Sequence, residues 1–349
     1  MKVKRFALIT GLLSGLLFGI ATPFSKLLLN GLNSFQLAGL LYLGAGIAMI
    51  PFILKKDNQL KMLFKPGSKT KTFGIIFFGG ILGPLLLLAG LKTANAASVS
   101  IWLNMELVAT AILGVFLFKD TLDRFTWTGV ILTVVAGVIT SLGEGSGSIV
   151  SALLITAACF CWGVDNHLTA ITDGASPQAV TFVKGIGAGS VNLFIGNLIS
   201  TQPMSLGNIG PAILLGALSY GLSIVLYVTS AQNVGATRSQ ILFSTAPLWG
   251  VALSYFFFQD SFHWVHLISM SLLAMAIYMT SISSHSHMHV HQVLTHVHFH
   301  QHNDGHHNHL HEGEVVSKGN WHSHVHTHEE MTHEHGHYPD LHHRHGHNS

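Results

Sequence analysis

The sequence predicts an all-α integral membrane protein with ten transmembrane helices, arranged as two inverted five-helix repeats and followed by a disordered His-rich tail. Charged residues make up only 9% of the 349 residues, whereas hydrophobic residues make up 49% and the mean hydropathy is +0.47. Soluble globular domains carry roughly 25% charged residues. A soluble class is therefore excluded for residues 1–283. Every histidine except His167, His263 and His266 lies beyond Ser284.

The ten predicted spans are apolar runs of membrane-crossing length, since a helix needs about 20 mostly apolar residues to cross a bilayer. Their predicted bounds are 6–29, 34–54, 72–91, 96–118, 126–142, 150–171, 179–200, 210–229, 239–259 and 264–283. Loops rich in Lys and Arg favour the cytoplasmic side, and the 55–71 loop alone contains six lysines. We therefore predict a multi-pass protein of the inner (plasma) membrane with both termini in the cytoplasm.

An internal repeat is indicated by two pairs of similar segments. Residues 18–22 of the first span align with 162–166 of the sixth, and 118–120 align with 258–260. Five spans per half is an odd number, so the halves enter the membrane from opposite sides. Inverted repeats are typical of secondary transporters, whose central site lies between the halves. The predicted domains are a first repeat (1–142), a second repeat (148–283) and the tail (284–349).

Five short motifs occur in a recognisable order along the chain. They are Leu103-Asn104-Met105-Glu106, Trp162-Gly163-Val164-Asp165-Asn166, Lys184-Gly185, Tyr220-Gly221 and, in the tail, Tyr338-Pro339-Asp340-Leu341-His342-His343-Arg344-His345. With the ten spans, this order resembles the drug/metabolite transporter superfamily, in particular EamA-type transporters with a His-rich C-terminal tail. The resemblance implies an exporter-like ten-helix bundle around a central cavity. Glu106 departs from it, because many relatives have an apolar or proline-containing stretch there, as the second half has at Ala246-Pro247.

Four charged side chains lie within predicted spans: Lys26, Glu106, Asp165 and Lys184. A charge at the bilayer centre costs about 2.5–3.5 kcal/mol on insertion scales, so each is expected to face a partner or a wet cavity. With a rise of about 1.5 Å per residue, Asp165 and Lys184 lie at similar depths and are predicted to pair, either structurally or in transport. Glu106 has no cation at its depth, which favours a role as proton carrier or cation contact. Lys26 is expected to snorkel to the interface.

The predicted transport cavity adds the neighbouring asparagines to these charges. Its lining residues are Glu106, Asn104, Asp165, Asn166 and Lys184. For the two asparagines, hydrogen bonds between helices are an equal alternative.

The tail is predicted to bind divalent metal ions. Histidines alternate strictly from His285 to His291, which places four of them on one side of an extended chain. Neutral imidazole suits Zn, Ni, Co and Cu, and the scarcity of large apolar residues predicts disorder without metal. The predicted ligands are His285, His287, His289, His291, His322, His324, His326, His328, His342, His343 and His345.

The leading functional interpretation is a secondary transporter that exports small organic metabolites or drugs by alternating access, with metal binding by the tail as regulation or buffering. The alternatives are a transition-metal exporter for Ni, Co or Zn, and a metal-sensing membrane protein without transport. Enzymatic activity is not expected, because no nucleophile–base set or nucleotide-binding loop is present. The expected partners are the lipid bilayer, a small-molecule substrate and divalent metal ions at the tail, with no required cofactor and no nucleic acid.

Overall fold

The helical body and parts of the tail are described by a computed structural model. The described residues are 2–54, 58–118, 124–144, 146–170, 172, 176–200, 203–234, 242–258, 263–281, 285–291, 294–300, 322–328 and 331–337.

Helices make up the body, and two of its segments have the wider π-helical turn. The α-helices are α1 (Lys2–Gly19), α2 (Ala21–Leu28), α3 (Ser34–Ile53), α4 (Asn58–Leu63), α5 (Lys69–Gly74), α6 (Gly83–Thr93), α7 (Ala96–Trp102), α8 (Met105–Phe118), α9 (Arg124–Glu144), α10 (Ser146–Ala170), α11 (Pro177–Ile199), α12 (Leu206–Gly216), α13 (Ser223–Val234), α14 (Ala246–Phe258) and α15 (Trp264–Ser281). The π-helical segments are π1 (Ile75–Leu82), between α5 and α6, and π2 (Ala217–Leu222), between α12 and α13.

The membrane spans agree with the predicted ones. Within the described residues, eight helical stretches are long and apolar enough to cross a bilayer: Ile9–Leu28, Ser34–Ile53, Lys69–Thr93, Ala96–Phe116, Arg124–Gly143, Ile149–Thr169, Pro177–Ile199 and Leu206–Tyr227. Two shorter apolar helices, Ala246–Phe257 and Trp264–Met279, fall in the ninth and tenth predicted spans. Each predicted span therefore contains an apolar helix, and the all-α membrane body is confirmed.

Helices α3 and α11, which occupy equivalent places in the two halves, pack against each other through glycines. A Cβ atom at Gly39 would lie 2.6 Å from the Leu193 backbone nitrogen, and one at Gly189 would lie 2.8 Å from the Leu43 nitrogen. Any larger side chain would force these two backbones apart. The two halves therefore meet along a backbone-to-backbone contact.

Helix interruptions occur at equivalent places in the two halves. Between α7 and α8, the Asn104 N–H bonds the Ile101 carbonyl (3.1 Å) and the Leu107 N–H bonds the Asn104 carbonyl (3.0 Å). Before α14, the Thr245 N–H bonds the Leu242 carbonyl (3.3 Å), and the Leu248 N–H bonds the Thr245 carbonyl (3.0 Å). In both places an N–H bonds the carbonyl three residues back, instead of four as in an α-helix. The fourth and ninth spans are therefore interrupted by the same backbone hydrogen-bond pattern. The sequence predicted each of them as an uninterrupted helix.

Lys26 has a different environment from the predicted one. Its Nζ atom donates to the carbonyls of Leu91 (2.5 Å), Lys92 (3.0 Å) and Ala94 (2.9 Å) at the end of α6. The last carbonyls of a helix have no partner within the helix, and a cation there also meets the negative end of the helix dipole. Lys26 therefore ties α2 to the end of α6 instead of simply extending to the membrane interface.

Four strands are described within the tail, and its other residues lie outside the described ranges. They are β1 (His285–His291), β2 (Leu294–His300), β3 (His322–His328) and β4 (Met331–His337), and they pair antiparallel as β1–β4 and β2–β3. The physical reason lies in the period-two alternation of histidine with other residues, which matches the pleat of a strand. The same alternation led to the metal-site prediction, but its preference for strands was not drawn from the sequence.

Candidate transport site

Glu106 lies at the interruption of the fourth span, in the first turn of α8. Backbone N–H groups at the start of a helix carry partial positive charge, which favours a carboxylate there. The Asn104 side chain donates to the Ile101 carbonyl at 3.3 Å. Asn104 was predicted to line the cavity. Its side chain instead stabilises the turn between α7 and α8, just before the helix that contains Glu106.

Glu106 connects the two repeats through Asn166. The Asn166 Nδ2 atom of α10 donates to the Glu106 Oε1 atom at 2.9 Å. Asn166 is exposed and Glu106 is partly exposed, although both lie in predicted spans. The structure therefore joins these two predicted residues across the boundary between the halves.

Asp165 and Lys184 form the predicted pair. The Lys184 Nζ atom of α11 lies 2.7 Å from the Asp165 Oδ2 atom of α10, and both side chains are largely buried. The Thr169 hydroxyl donates to the other carboxylate oxygen, Oδ1, at 3.4 Å. Matching helix depths in the sequence was enough to find this pair, and the pairing is confirmed.

The π1 segment supplies carbonyl groups that side chains from other helices satisfy. The Gly83 N–H bonds the Phe78 carbonyl, five residues back. The next donor in that register would be Pro84, which has no N–H, so the Gly79 carbonyl needs another partner. It accepts hydrogen bonds from the Tyr42 hydroxyl (2.5 Å) and the Trp162 Nε1–H group (3.1 Å).

A second carbonyl of π1 is satisfied in the same way. The buried Asn192 side chain of α11 donates to the Gly80 carbonyl at 2.9 Å. A Cβ atom at Gly79 would overlap the Asp165 carboxylate, and one at Gly80 would overlap the Ala188 side chain. The two glycines therefore let π1 approach the Asp165–Lys184 pair closely.

Aromatic rings from both repeats border the charged groups. The Tyr220 ring of π2 lies 5.6 Å from the Tyr42 ring and 5.7 Å from the Phe18 ring, measured between centroids. Sequence reasoning did not assign Tyr42, Trp162 or Tyr220 to the site. Two of them could have been found from the sequence, because Trp162 and Tyr220 lie in the motifs on which the family resemblance rests.

The charges of this cluster do not balance. Lys184 pairs with Asp165, whereas the partner of Glu106 is the neutral side chain of Asn166. When all three side chains are ionised, the group carries one excess negative charge. Such a site can accept a proton or the positive group of a ligand.

Comparison with known proteins agrees with the resemblance seen in the sequence. A model of the EamA-like transporter family matches residues 5–142 and 149–282, once in each half. The chain belongs to the EamA-like transporter family. It is therefore a multi-pass membrane transporter of the drug/metabolite transporter kind.

Two relatives and one solved structure illustrate the similarity of this EamA-like transporter to other proteins. An "Uncharacterized transporter" of Methanothermobacter thermautotrophicus is 24% identical over 268 residues, which cover 70% of this chain and 77% of that protein. "Uncharacterized transporter YyaM" of Bacillus subtilis is 25% identical over 229 residues, covering 61% and 73%. A crystal structure matches with a TM-score of 0.59 at 14% identity, over 81% of this chain and 96% of that chain. At that identity the match shows the fold alone.

The predicted metal ligands of the EamA-like transporter fall into three groups. His285, His287, His289 and His291 lie in β1, whereas His322, His324, His326 and His328 lie in β3. His342, His343 and His345 lie outside the described residues. Since β1 pairs with β4 and β3 with β2, the structure does not pair the two predicted strand groups with each other. The histidines of β2 and β4, their actual neighbours, were not among the predicted ligands.

Proposed function

We propose that this EamA-like transporter exports small organic metabolites or drugs that carry a positive group, by alternating access between its two halves. The observation that carries the proposal is the position of Glu106. It lies at an interrupted membrane helix and is bonded across the repeat boundary to Asn166, the residue that follows Asp165 of the ion pair in α10. Interrupted helices at equivalent places in two inverted repeats are typical of substrate sites in secondary transporters.

The charge of the site suggests how export would be coupled. The Glu106 carboxylate accepts either a proton or the positive group of the substrate, but not both together. Protonation of Glu106 from one side of the membrane would therefore release the substrate. Loss of that proton on the other side would restore the carboxylate, which can then bind another substrate molecule. Tyr42 and Tyr220 add ring faces that attract cations, with about 0.5–2 kcal/mol for each such contact.

The test is proton-driven efflux of ethidium, an organic cation, from proteoliposomes that contain the full-length protein. The wild-type protein should release ethidium when a proton gradient is imposed, whereas Glu106→Gln should reduce the release to that of protein-free vesicles. Glu144→Gln is the matched control, because it makes the same chemical change at the last residue of α9. Full proton-driven efflux by Glu106→Gln would remove this carboxylate from the mechanism.

The tail has a separate proposed role. We infer that it binds Zn, Ni, Co or Cu on the cytoplasmic side and regulates transport or buffers the metal. The lysines of the 55–71 loop support that orientation. Ethidium efflux with and without Zn²⁺ should differ in the wild-type protein and not after deletion of residues 285–349. Metal accumulation in cells that lack the protein would instead favour metal export.

A further inference from the structure

The segment between the second and third spans presents a row of exposed lysines. Lys61 lies in α4, Lys65 lies in the turn that follows, and Lys69 is the first residue of α5. All three side chains are exposed. Residues 58–74, which we name the basic segment, contain one further lysine and no acidic residue. Asp57, just before the segment, lies outside the described residues.

Backbone hydrogen bonds hold these lysines close together. The Lys65 carbonyl accepts from the Ser68 N–H at 3.0 Å and from the Lys69 N–H at 3.3 Å. Gly67 makes the turn between them with a φ of 91°, a left-handed conformation that a residue with a Cβ atom rarely adopts. Lys65 and Lys69 therefore belong to one compact turn.

The apolar side of the basic segment is anchored in the protein. Leu63 is 1% exposed and packs in an apolar cluster with Ala179 and Val180 of α11. The buried Thr72 hydroxyl donates to the Leu63 carbonyl at 2.8 Å. These contacts fix the segment against the bundle, so its lysines form a defined surface.

Exposed aromatic rings continue from Lys69 along the third span. Phe73 is 68% exposed and Phe77 is 38% exposed, and their rings stack with centroids 6.1 Å apart. Residues four apart on a helix lie on one face, so Lys69 and Phe73 share a face that Phe77 extends. The membrane-crossing stretch begins at Lys69. A cation therefore lies at the membrane boundary, and two exposed rings follow it on the lipid side.

This arrangement matches the two parts of a phospholipid. Lysine ammonium groups bind phosphate oxygens, and clusters of lysines beside a membrane span attract anionic lipids. Apolar rings on the same face contact the acyl chains, as the apolar face of an interfacial helix does. A zwitterionic headgroup would bring its own cation to the lysines, whereas an anionic headgroup brings none.

We propose that the basic segment binds an anionic phospholipid, with the phosphate at Lys65 and Lys69 and an acyl chain along Phe73 and Phe77. Lys61 adds a third positive charge to the same surface. The proposal concerns the lipid side of the protein, so it depends neither on the transported substrate nor on metal binding by the tail. It makes one class of lipid a specific ligand in addition to the surrounding solvent.

The test is binding of dioleoylphosphatidylglycerol, an anionic phospholipid, to the full-length protein in a non-ionic detergent, measured by native mass spectrometry. Dioleoylphosphatidylcholine is the reference, because it has the same chains and a zwitterionic headgroup. The wild-type protein should retain the anionic lipid at a lower lipid concentration than the reference lipid. Equal retention of the two lipids would overturn the proposal.

Single lysine variants assign the site. A lysine near a membrane surface adds about 1 kcal/mol of attraction to anionic lipids, which corresponds to about a fivefold change in affinity. Lys65→Gln and Lys69→Gln should each weaken binding of the anionic lipid by about that factor, whereas Lys65→Arg should retain it. Lys92→Gln is the matched control, because Lys92 is an exposed lysine at the other end of the third span. Equal affinities of Lys65→Gln and Lys92→Gln would refute the assigned headgroup site.

Two further measurements test the acyl-chain half of the site. Phe73→Ala should weaken binding of the anionic lipid, whereas Phe116→Ala, which removes a ring of α8 that is 77% exposed, should leave it unchanged. Equal losses in both variants would refute the placement of the chain. Glycerol phosphate, which has the phosphate but no acyl chains, should not displace the lipid even in large excess. Displacement would show a site for soluble phosphate compounds and would overturn the lipid assignment.

Discussion

Replacing Lys184 with methionine isolates the contribution of the ion pair between α10 and α11. The Asp165 side chain is 5% exposed and the Lys184 side chain 17%, so the variant leaves a carboxylate buried without its ammonium partner. At 2.7 Å and an effective dielectric constant of about 20, the Coulomb attraction is roughly 6 kcal/mol before desolvation is counted. Removing one partner of a buried pair costs about 3–5 kcal/mol in measured cases, and we expect that loss here.

The assay is the free energy of unfolding in mixed detergent–denaturant micelles. Lys69→Met is the matched control, since it makes the same change at an exposed lysine and should leave the free energy of unfolding unchanged. Adding Asp165→Asn to Lys184→Met should recover most of the loss, because no unpaired charge of this ion pair then remains buried. If Lys184→Met unfolds at the same denaturant concentration as the wild-type protein, the pair does not stabilise the fold and the reasoning fails.

The same double variant separates a structural role of the pair from a transport role. Recovered folding with recovered ethidium efflux would mean that the pair only holds α10 against α11. Recovered folding without efflux would mean that the charges themselves take part in transport.

Two further predictions concern the contacts around the pair. Gly79→Ala should destabilise the protein by about 1–3 kcal/mol, as overpacked cores do, because the new Cβ atom overlaps the Asp165 carboxylate. Gly137→Ala is its control, since its Cβ atom would meet nothing closer than 3.8 Å; equal thermal unfolding of the two variants would contradict the prediction. Lys26→Met should cost about 1–3 kcal/mol, because it removes the donor of three helix-end carbonyls. An unchanged melting temperature would show that other groups satisfy those carbonyls.

The part of the site that could be predicted from the sequence lies on uninterrupted helices. Asp165 and Lys184 lie within α10 and α11, which run without a break through 146–170 and 177–199. Counting residues therefore gives depth directly, and matching depths identified the pair. The helical membrane body followed from composition and run length for a similar reason, since both depend on local sequence alone.

The part that could not be predicted depends on where helices change their hydrogen-bond pattern. The interruption at Asn104 has no glycine or proline on either side, so nothing in the local sequence indicates it, although Pro247 follows the equivalent interruption in the second half. Pro84 can be read from the sequence. That it leaves the Gly79 carbonyl without a backbone donor follows only from the π-helical hydrogen-bond register, in which residue 84 would be that donor. The donors to that carbonyl, Tyr42 and Trp162, come from distant parts of the chain.

The paired helix interruptions have a consequence for the direction of transport. Their backbones match, yet Asn104 and Glu106 stand in one half where Thr245 and Pro247 stand in the other. Under the proposed alternating access, exchanging the conformations of the halves converts the inward-open form into the outward-open form. The half with Glu106 has no counterpart of Asp165, and the half with Asp165 has no counterpart of Glu106, so no symmetry makes the free energies of the two forms equal. If transport follows the proposed alternating access, the shared backbone design allows both forms, and the unequal charges of the halves set which form is favoured.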